Sequence, residues 1–281
     1  MDSARILQLG VLSRILVWTI LIALSIIMVL PFLWMISTSF KPATEVIAWP
    51  PNMIPIHATL ENYAKLRTAA PFARFFFNSL LMSTVSTIGI VLTSTLAGYV
   101  FSKYKFPLRN LLFAIILITA MVPLEVYILP LFMTMVKLKW LNSYQGMVAP
   151  YLIMSFGIFF MRQNITHGVP DELLEAARID GASDWRTFFT MVLPLSRSAI
   201  SALAILAFMQ AWAAFIWPLL VTRRVEMYNM ELGLGFFQNA FTIDFGPISA
   251  ASVISFMPVL LVYFMFRKQI QRGVTLGAVK G

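Results

Sequence analysis

Six long runs of apolar residues constrain the fold of this chain more than any other feature of its sequence. Each run has at least 22 residues and carries no Asp, Glu, Lys or Arg, apart from Glu125 in the third run. A helix of about 20 apolar residues crosses the hydrocarbon core of a bilayer. The runs therefore predict an all-α membrane protein with six transmembrane helices. They cover residues 15–40, 75–102, 110–136, 140–161, 198–222 and 245–266.

The composition of the chain agrees with a membrane protein. Of its 281 residues, 59% are hydrophobic and only 12% are charged, whereas about 25% are charged in an ordinary soluble domain. The net charge of +9 could suit a nucleic-acid ligand, but the basic residues lie between the apolar runs and not on one polar face. We interpret them as signals of membrane topology. The chain has no cysteine, which excludes disulfide bonds and thiolate metal sites.

The basic residues also indicate how the six helices are oriented. Cytoplasmic loops of membrane proteins carry an excess of Lys and Arg. With both termini in the cytoplasm, 13 of the 21 Lys and Arg residues fall on the cytoplasmic side. This orientation places the polar segment after the fourth run, residues 162–197, in the cytoplasm. The third run contains Pro123 and Pro130, which predict a kink or an early end of that helix.

The cytoplasmic segment at residues 170–194 has the pattern of two short helices joined by a glycine. Pro170, Asp171 and Glu172 suit a first helical turn. Gly181 suits the left-handed residue that often ends a helix. The segment is therefore predicted to turn a corner at Gly181.

Both predicted helices of this segment carry apolar side chains. Those of the first helix are Leu173, Leu174, Ala177 and Ile179. The second helix could be capped by Ser183 or Asp184 and would end at Pro194. Its predicted apolar face consists of Trp185, Phe188, Phe189 and Val192. Periodicity alone would also fit an amphipathic hairpin lying on the membrane surface.

The amino-acid sequence of this segment resembles the EAA loop of ABC-importer permeases. The similarity extends over nearly the whole chain, including residues 77–80, 217–219 and 273–281, and is to the carbohydrate-importer branch. Two positions depart from the pattern: Ser198 stands where a proline is common, and Ala213 where an asparagine is common. The residues that match the loop are Glu175, Ala176, Ala177, Arg178, Ile179, Asp180, Gly181 and Ala182, followed by Leu193 and Pro194.

The resemblance implies a type I ABC-importer transmembrane domain with both termini in the cytoplasm. It divides the chain into an N-terminal helix with an external loop (1–74), a core domain (75–267) and a cytoplasmic tail (268–281). Within the core, residues 165–195 would be the coupling loop that docks on a cytoplasmic ATPase. The tail would either reach into the ATPase dimer or fray as a basic terminus. The residues implied in coupling are Glu175, Ala176, Ala177, Asp180 and Gly181.

The sequence contains no motif for nucleotide or metal chemistry. It lacks the G-x-x-x-x-G-K-[ST] phosphate loop and the H-E-x-x-H zinc motif. Its two histidines, His57 and His167, fall on opposite predicted sides of the membrane. We therefore predict that the chain is not an enzyme and holds neither a metal nor a cofactor. The resemblance implies that ATP and Mg are bound by a partner ATPase.

Five polar or aromatic residues within the apolar runs are candidates for a substrate pathway. Glu125 could accept hydrogen bonds from a substrate, or could sit at the outer interface. Trp212 and Trp217 could stack on sugar rings while Gln210 bonds hydroxyl groups, or all three could pack against another subunit. Asn78 could line the pathway, or could join helices by hydrogen bonds.

These observations predict a permease subunit of a binding-protein-dependent ABC importer for a carbohydrate, an oligosaccharide first of all. Its partners would be a second homologous permease, two ATPase subunits, an extracytoplasmic solute-binding protein and membrane lipid, with no nucleic acid. The location would be the cytoplasmic (inner) membrane of a bacterium or archaeon. The same importer class could instead take glycerol-3-phosphate or another polar solute. A secondary transporter that works alone is the third interpretation, although it should show more charge in its spans or an internal repeat.

Overall fold

The computed structural model describes residues 10–235 and 245–278 of the chain, with side chains described up to residue 266. This part of the chain is helical and contains no strand. The chain forms two compact units, residues 1–69 with 237–254 and residues 70–236 with 255–281. Among the described residues, three helices are long and apolar enough to cross a membrane, and three further bent helix pairs bring the number of spans to as many as six.

The smaller unit contains the first predicted span. Helix α1 (Val11–Ser39) is apolar around its whole circumference and is exposed along nearly its full length. A helix that is hydrophobic all round belongs in lipid or in a core. The polar stretch that follows is not a plain loop, since it forms α2 (Ala43–Val46) and α3 (Glu61–Ala69).

A buried asparagine ties α3 to the end of α1. The Asn62 side-chain amide donates to the carbonyl oxygens of Ser39 at 3.0 Å and of Lys41 at 2.8 Å. The Ser39 carbonyl belongs to the last residue of α1, where backbone acceptors have no partner within the helix, and Lys41 follows the cap residue Phe40. Asn62 therefore closes the end of α1.

The larger unit is built around α4 (Phe72–Lys103), an unbroken helix of 32 residues. The third predicted span follows as α5 (Arg109–Met121) and α6 (Leu124–Leu138), which are bent by 99°. The predicted kink is confirmed, and Pro123 lies in the break. Pro130 lies inside α6 and does not end it.

The fourth span is broken and longer than predicted. It consists of α7 (Tyr144–Val148), a 3₁₀ turn (Ala149–Tyr151) and α8 (Ser155–Gly168), with a bend of 44°. Helix α8 does not end where the predicted span ends, because Arg162 and the six residues after it continue the helix. Charged side chains in the last turns of a helix leave its backbone hydrogen bonds intact, so a polar residue after an apolar run does not mark the end of a helix.

The remaining helices follow a similar pattern of interruption. The segment after α8 forms α9 (Asp171–Ile179) and α10 (Asp184–Leu195), and α10 bends by 79° into α11 (Arg197–Trp212). The predicted fifth span is not continuous, since α11 ends at Trp212 and a separate α12 (Ile216–Val221) follows. Helix α13 (Met230–Leu234) precedes residues outside the described part, and α14 (Phe245–Ala278) is the last.

The predicted sixth span is confirmed, although its helix does not end where the span does. Helix α14 continues through residue 278, so most of the predicted tail, residues 268–281, has a helical backbone. Residues 279–281 lie outside the described residues.

Candidate functional site

The corner at Gly181 is a complete helix-ending motif. Gly181 has φ +75°, the left-handed conformation that glycine adopts without steric cost. The Gly181 N–H donates to the carbonyl of Arg178 at 3.0 Å, and the Ala182 N–H donates to the carbonyl of Ala177 at 2.9 Å. These two bonds define a Schellman motif. The predicted left-handed cap is therefore confirmed, although Pro170 precedes the first turn of α9 instead of lying in it.

The second helix begins at once after the corner. The Ser183 hydroxyl accepts a hydrogen bond from the Arg186 N–H at 3.3 Å, so Ser183 and not Asp184 caps α10. The Arg178 guanidinium lies 4.0 Å from the Asp184 carboxylate across the corner. Both side chains are mostly exposed, and such surface pairs contribute little to stability. The corner is thus fixed mainly by backbone hydrogen bonds.

One side of this two-helix segment is buried against three spans. Leu174 of α9 and Phe188 and Val192 of α10 belong to one apolar cluster. The cluster joins the segment to α4, α8 and α11. Its members from the spans include Tyr99, Met161, Ile165, Ala199 and Leu203.

The other side of the segment is exposed. Of the five predicted coupling residues, Glu175, Ala176, Asp180 and Gly181 are exposed. Ala177 is only 2% exposed and packs inward, so it can position the surface but cannot touch a partner. The role of all five in coupling stays a prediction, in which Ala177 would act from beneath the surface.

The predicted apolar faces of the two helices were also partly wrong. Leu173, Ile179, Trp185 and Phe189 are all exposed. In α10, Trp185 and Phe189 stack on each other with ring centroids 6.2 Å apart. Residues one turn apart share a face, so these two rings lie together on one side of α10 while Phe188 and Val192 occupy the buried side.

A buried lysine anchors the start of α9. Lys103, at the end of α4, is only 6% exposed at its side chain. Its ammonium group donates to the Asp171 carboxylate and to the Val169 carbonyl, both at 2.6 Å. The hydrogen bond and charge of Lys103 lower the pKa of Asp171 below its ordinary value of 3.8. The pair therefore stabilises the fold above pH 3.8, and its contribution is lost only as the pH falls through the lowered pKa.

Asn78 is fully buried and joins three parts of the larger unit. Its amide donates to the carbonyls of Glu226 at 2.8 Å and Tyr228 at 2.9 Å. Its side-chain oxygen accepts from the Tyr144 hydroxyl at 2.8 Å. Both amide protons and the side-chain oxygen of Asn78 thus bond to groups of the same chain, and its side chain is 0% exposed, so the structure favours the predicted alternative that Asn78 joins helices.

The two candidate tryptophans are also buried. Trp212 donates to the carbonyl of Ser255 at 3.1 Å, and Trp217 donates to the carbonyl of Gly146 at 2.9 Å. Both indoles pack inside the larger unit and present no free face to a sugar. Their prediction as stacking residues is corrected, and they pack within this chain itself, not against another subunit as the alternative proposed.

Glu125 and Gln210 differ from these residues because both are exposed. Glu125 lies in the first turn of α6, next to the break after Val122. Acidic residues are favourable at a helix N-terminus. Gln210 lines an open recess in the larger unit. Of the five candidates, these two remain available to a ligand.

Comparison with known proteins decides the family. Residues 89–276 match the family described as "Binding-protein-dependent transport system inner membrane component". This match spans more than half of the chain. The chain belongs to this family of permeases. It is therefore a multi-pass membrane protein that acts as a component of a binding-protein-dependent transport system.

Several relatives of this permease are similar over nearly their full length. An arabinooligosaccharide transport system permease of Halalkalibacterium halodurans is 34% identical and covers 96% of this chain and 98% of its own. A diacetylchitobiose uptake system permease of Streptomyces coelicolor is 32% identical, covering 93% and 87%. A glycerol-3-phosphate transport system permease of Yersinia enterocolitica is 33% identical, covering 82% and 85%.

A solved structure shares the fold of this permease. A chain of a bacterial ABC transporter involved in the import of the acidic polysaccharide alginate superposes with a TM-score of 0.83. It covers 92% of this chain and 98% of its own at 19% identity. The predicted fold class is confirmed as that of an ABC-importer permease.

Lys103 is a residue of the permease site that the sequence analysis missed. It was counted only as a topology charge, and Asp171 only as a favourable charge at a helix start. The available signal was the position of Lys103 at the cytoplasmic end of a long apolar run, where a lysine stem can bury. Its pairing with a residue 68 positions away could not be inferred from one sequence.

Removal of the Lys103 anchor should loosen the permease segment at residues 170–195. Lys103→Met keeps an unbranched side chain but leaves the Val169 carbonyl and Asp171 carboxylate without this donor. Hydrogen bonds to charged groups contribute about 1.5–3 kcal/mol. We therefore expect trypsin to cleave after Arg178 and Arg186 roughly tenfold faster than in the wild type. Limited digestion in detergent, followed by mass spectrometry, measures this.

The matched control for this prediction is Asp171→Asn, which keeps a neutral acceptor for Lys103. It should cleave at a rate between those of the wild type and Lys103→Met. Equal rates for the wild type and Lys103→Met would show that the buried ammonium does not hold the segment.

Replacement of Asn78 should destabilise the permease as a whole. Asn78→Leu keeps the size of the side chain but removes its hydrogen bonds to two carbonyls and one hydroxyl. Each buried group left without a partner costs about 1–3 kcal/mol. We expect a drop of at least 5 °C in the melting temperature measured by size-exclusion thermal shift. Tyr144→Phe removes one of the three bonds and should give a smaller drop, whereas equal melting temperatures for all three proteins would contradict the assigned role.

Proposed function

We propose that this permease is one of two membrane subunits of an ABC importer for a carbohydrate, most simply an oligosaccharide. A second homologous permease, two cytoplasmic ATPases and an extracytoplasmic solute-binding protein complete the importer. Two observations support the substrate class: the relatives named for arabinooligosaccharides and diacetylchitobiose, and the resemblance of the EAA loop to the carbohydrate branch. The chain itself carries no motif for ATP, so ATP and Mg belong to the ATPase subunits.

The single observation that carries this proposal is the two-helix segment at residues 170–195. Its corner is fixed by the Schellman motif, and its inner side is packed into a cluster with three spans. Its outer side exposes Glu175, Ile179 and Trp185. A rigid element with these properties can transmit the movement of an attached protein to the spans. A hairpin that only lay on the membrane would not need its inner side locked to α4, α8 and α11.

The proposed mechanism follows from this connection. When the ATPases close on ATP, they displace the outer side of the segment. Because Leu174, Phe188 and Val192 move with it, the spans they touch move as well. The cavity between the two permeases then opens outward and accepts the carbohydrate from the binding protein. ATP hydrolysis and release reverse the displacement.

The orientation of the permease is part of the proposal. Both termini and the segment at residues 170–195 lie in the cytoplasm, as the distribution of Lys and Arg suggests. The membrane is the cytoplasmic membrane of a bacterium or archaeon. In this orientation the exposed side of α9 and α10 faces the compartment that holds ATP.

A second candidate substrate is glycerol-3-phosphate, because one relative with 33% identity is a permease for it. A phosphate ester is bound well by Arg or Lys side chains. The recess beside Gln210 has neither among its lining residues. This difference favours a neutral carbohydrate.

The proposed function is tested by purifying the tagged permease from its native membrane in mild detergent and identifying the proteins that accompany it. We expect an ATPase, a second permease and a solute-binding protein. Ile179→Asp should remove the ATPase, because Ile179 is 86% exposed on the proposed docking side. Ile47→Asp is the matched control, since Ile47 is 80% exposed in the predicted external stretch, and it should retain the ATPase.

Two results would count against this function. If the permease purifies alone and still moves solute in liposomes, it works as a secondary transporter. If Ile47→Asp and not Ile179→Asp removes the ATPase, the orientation of the segment is wrong.

A further inference from the structure

Two interruptions of the predicted spans meet at one open recess, beside the last turn of α11. The recess has a volume of about 260 Å³ and lies in the larger unit. Val122 and Leu124 come from the break between α5 and α6, and Met154 from the break between α7 and α8. Gln210 comes from α11, two residues before that helix ends. The recess is therefore formed where the helices are broken.

Broken helices at this location expose backbone polar groups within the predicted spans. Within the hydrocarbon region, non-helical backbone is tolerated only where protein buries it or where it lines a water-filled cavity. The recess is open, so the backbone at these breaks is not fully covered by the chain itself. In transporters, such interruptions near the middle of the spans form ligand sites. The recess is thus expected to hold water and to admit a polar ligand.

The side chains of the recess are suited to hydroxyl groups. Thr119 donates its one hydroxyl proton to the Ile116 carbonyl at 2.7 Å, and the Ser155 hydroxyl lies 2.8 Å from the Thr119 oxygen. Ser155 must therefore donate to Thr119, which leaves the Ser155 oxygen able to accept from a ligand. Within the described part of the chain, the Tyr127 and Tyr151 hydroxyls and the Gln210 amide make no hydrogen bond.

The recess also distinguishes between classes of ligand. No Lys, Arg, Asp or Glu is among its lining residues, and the nearest acid along the chain, Glu125, follows lining residue Leu124. A phosphate or carboxylate ligand would lack a cationic partner and would meet this acid nearby. Aromatic rings of Tyr127, Tyr151 and Phe156 provide apolar area for the C–H faces of a sugar ring. The chemistry selects a neutral polyhydroxyl compound.

We propose that this recess is a sugar-binding subsite within the present permease, which holds one ring of a neutral oligosaccharide during transport. Gln210, Tyr127, Tyr151 and Ser155 bond its hydroxyl groups. Ligand pockets for drug-sized molecules measure about 300–1,000 Å³, so a recess of about 260 Å³ takes a single ring. This subsite rests on the proposed function, because it presumes that a carbohydrate enters the spans.

The absence of cysteine from the chain gives a direct test. Gln210→Cys places one thiol in the recess, and Met209→Cys places one on the adjacent exposed position of α11 that does not line it. Each assembled importer is reconstituted in proteoliposomes with its binding protein and exposed to a water-soluble cationic methanethiosulfonate. We expect Gln210→Cys to react at least tenfold faster than Met209→Cys, because a thiol reacts as the thiolate and needs water.

Sugar protection then identifies the ligand. Arabinotriose, diacetylchitobiose and lactose are tested as neutral sugars, with sn-glycerol-3-phosphate as the charged competitor. The sugar that the wild type imports should slow labelling of Gln210→Cys at least fivefold, and sn-glycerol-3-phosphate should not. In uptake assays, Tyr151→Phe and Gln210→Met should each raise the sugar concentration that gives half-maximal uptake about five- to tenfold, as loss of one ligand hydrogen bond predicts. Met209→Leu should leave this concentration unchanged.

Three results would overturn the subsite. Labelling of Gln210→Cys that sugar does not slow, in an importer that transports that sugar, would remove the subsite but leave the proposed function intact. Labelling in the isolated permease but not in the assembled importer would show that another subunit covers the recess. Protection by sn-glycerol-3-phosphate alone would refute the neutral ligand and, if no sugar is imported, the carbohydrate function as well.

Discussion

Replacement of Gly98 by valine is expected to abolish the folded, monodisperse permease. Gly98 lies on α4 at a close approach to the backbone of α8. An added Cβ would lie 2.8 Å from the Arg162 backbone nitrogen and 2.8 Å from the Met161 Cβ. Real Cβ atoms are essentially never this close to a backbone atom, so the two helices must move apart. Overpacking of a core costs about 1–3 kcal/mol. Here the atoms that must move belong to the backbone of α8, which cannot rotate away as a side chain can.

The measurement for Gly98→Val is fluorescence-detected size-exclusion chromatography after extraction in detergent. We expect the monodisperse peak to fall at least fivefold. Gly168→Val is the matched control, because a Cβ at Gly168 would meet only one atom, the Asn164 side-chain oxygen at 3.7 Å. That variant should keep most of its peak. Similar losses for both variants would show that valine in these helices, and not the α4–α8 approach, is responsible.

The second large effect is expected at Gly181, where function should fail while the fold survives. An L-residue in the left-handed region costs about 1–2 kcal/mol. A Cβ there would meet nothing within 4 Å, so the strain comes from the backbone alone. Gly181→Val should relax this strain by opening the corner, which displaces α10 relative to α9. We expect sugar uptake by the assembled importer to fall at least tenfold at an unchanged membrane level of the permease.

Asparagine at Gly181 separates conformation from contact. Among non-glycine residues, Asn adopts the left-handed region most readily, so Gly181→Asn keeps the corner while adding a side chain to the exposed surface. We expect it to retain at least half of the wild-type uptake. Equal loss for Gly181→Asn and Gly181→Val would mean that the glycine is needed for close approach of a partner. Wild-type uptake for both would contradict any role of the corner.

These two glycines show which parts of the structure a single sequence can predict. Gly181 was predictable because its signal is local: a helix pattern ends there, and a new one begins two residues later. The close approach at Gly98 could not be predicted, since it depends on which helix lies beside α4. The same distinction separates the six apolar runs, which predicted the spans, from the breaks within the fourth and fifth spans.

The residues of the candidate site also fall into those that the sequence predicts and those that depend on tertiary packing. Exposure of Glu175 and Gly181 agrees with the resemblance, but the burial of Ala177 depends on how α9 packs on the rest of the unit. Asn78 and Trp217 were chosen for the pathway because polar and aromatic groups in an apolar span need a reason. The reason is internal, since each satisfies a backbone carbonyl elsewhere in the chain. Residue type alone cannot distinguish a ligand contact from such a bond.

The turn at Phe188–Val192 is a π-helix, which has i→i+5 hydrogen bonds and accommodates one residue more than a regular α-helical turn. Each residue of an α-helix advances the side chain by about 100° around the axis. The extra residue therefore sets the angular phase between the exposed Trp185 face and the residues that lead into α11. Deleting or inserting a residue here would rotate one face against the other without changing a single contact residue. The number of residues between Gly181 and α11 is consequently under tighter constraint than their chemical character.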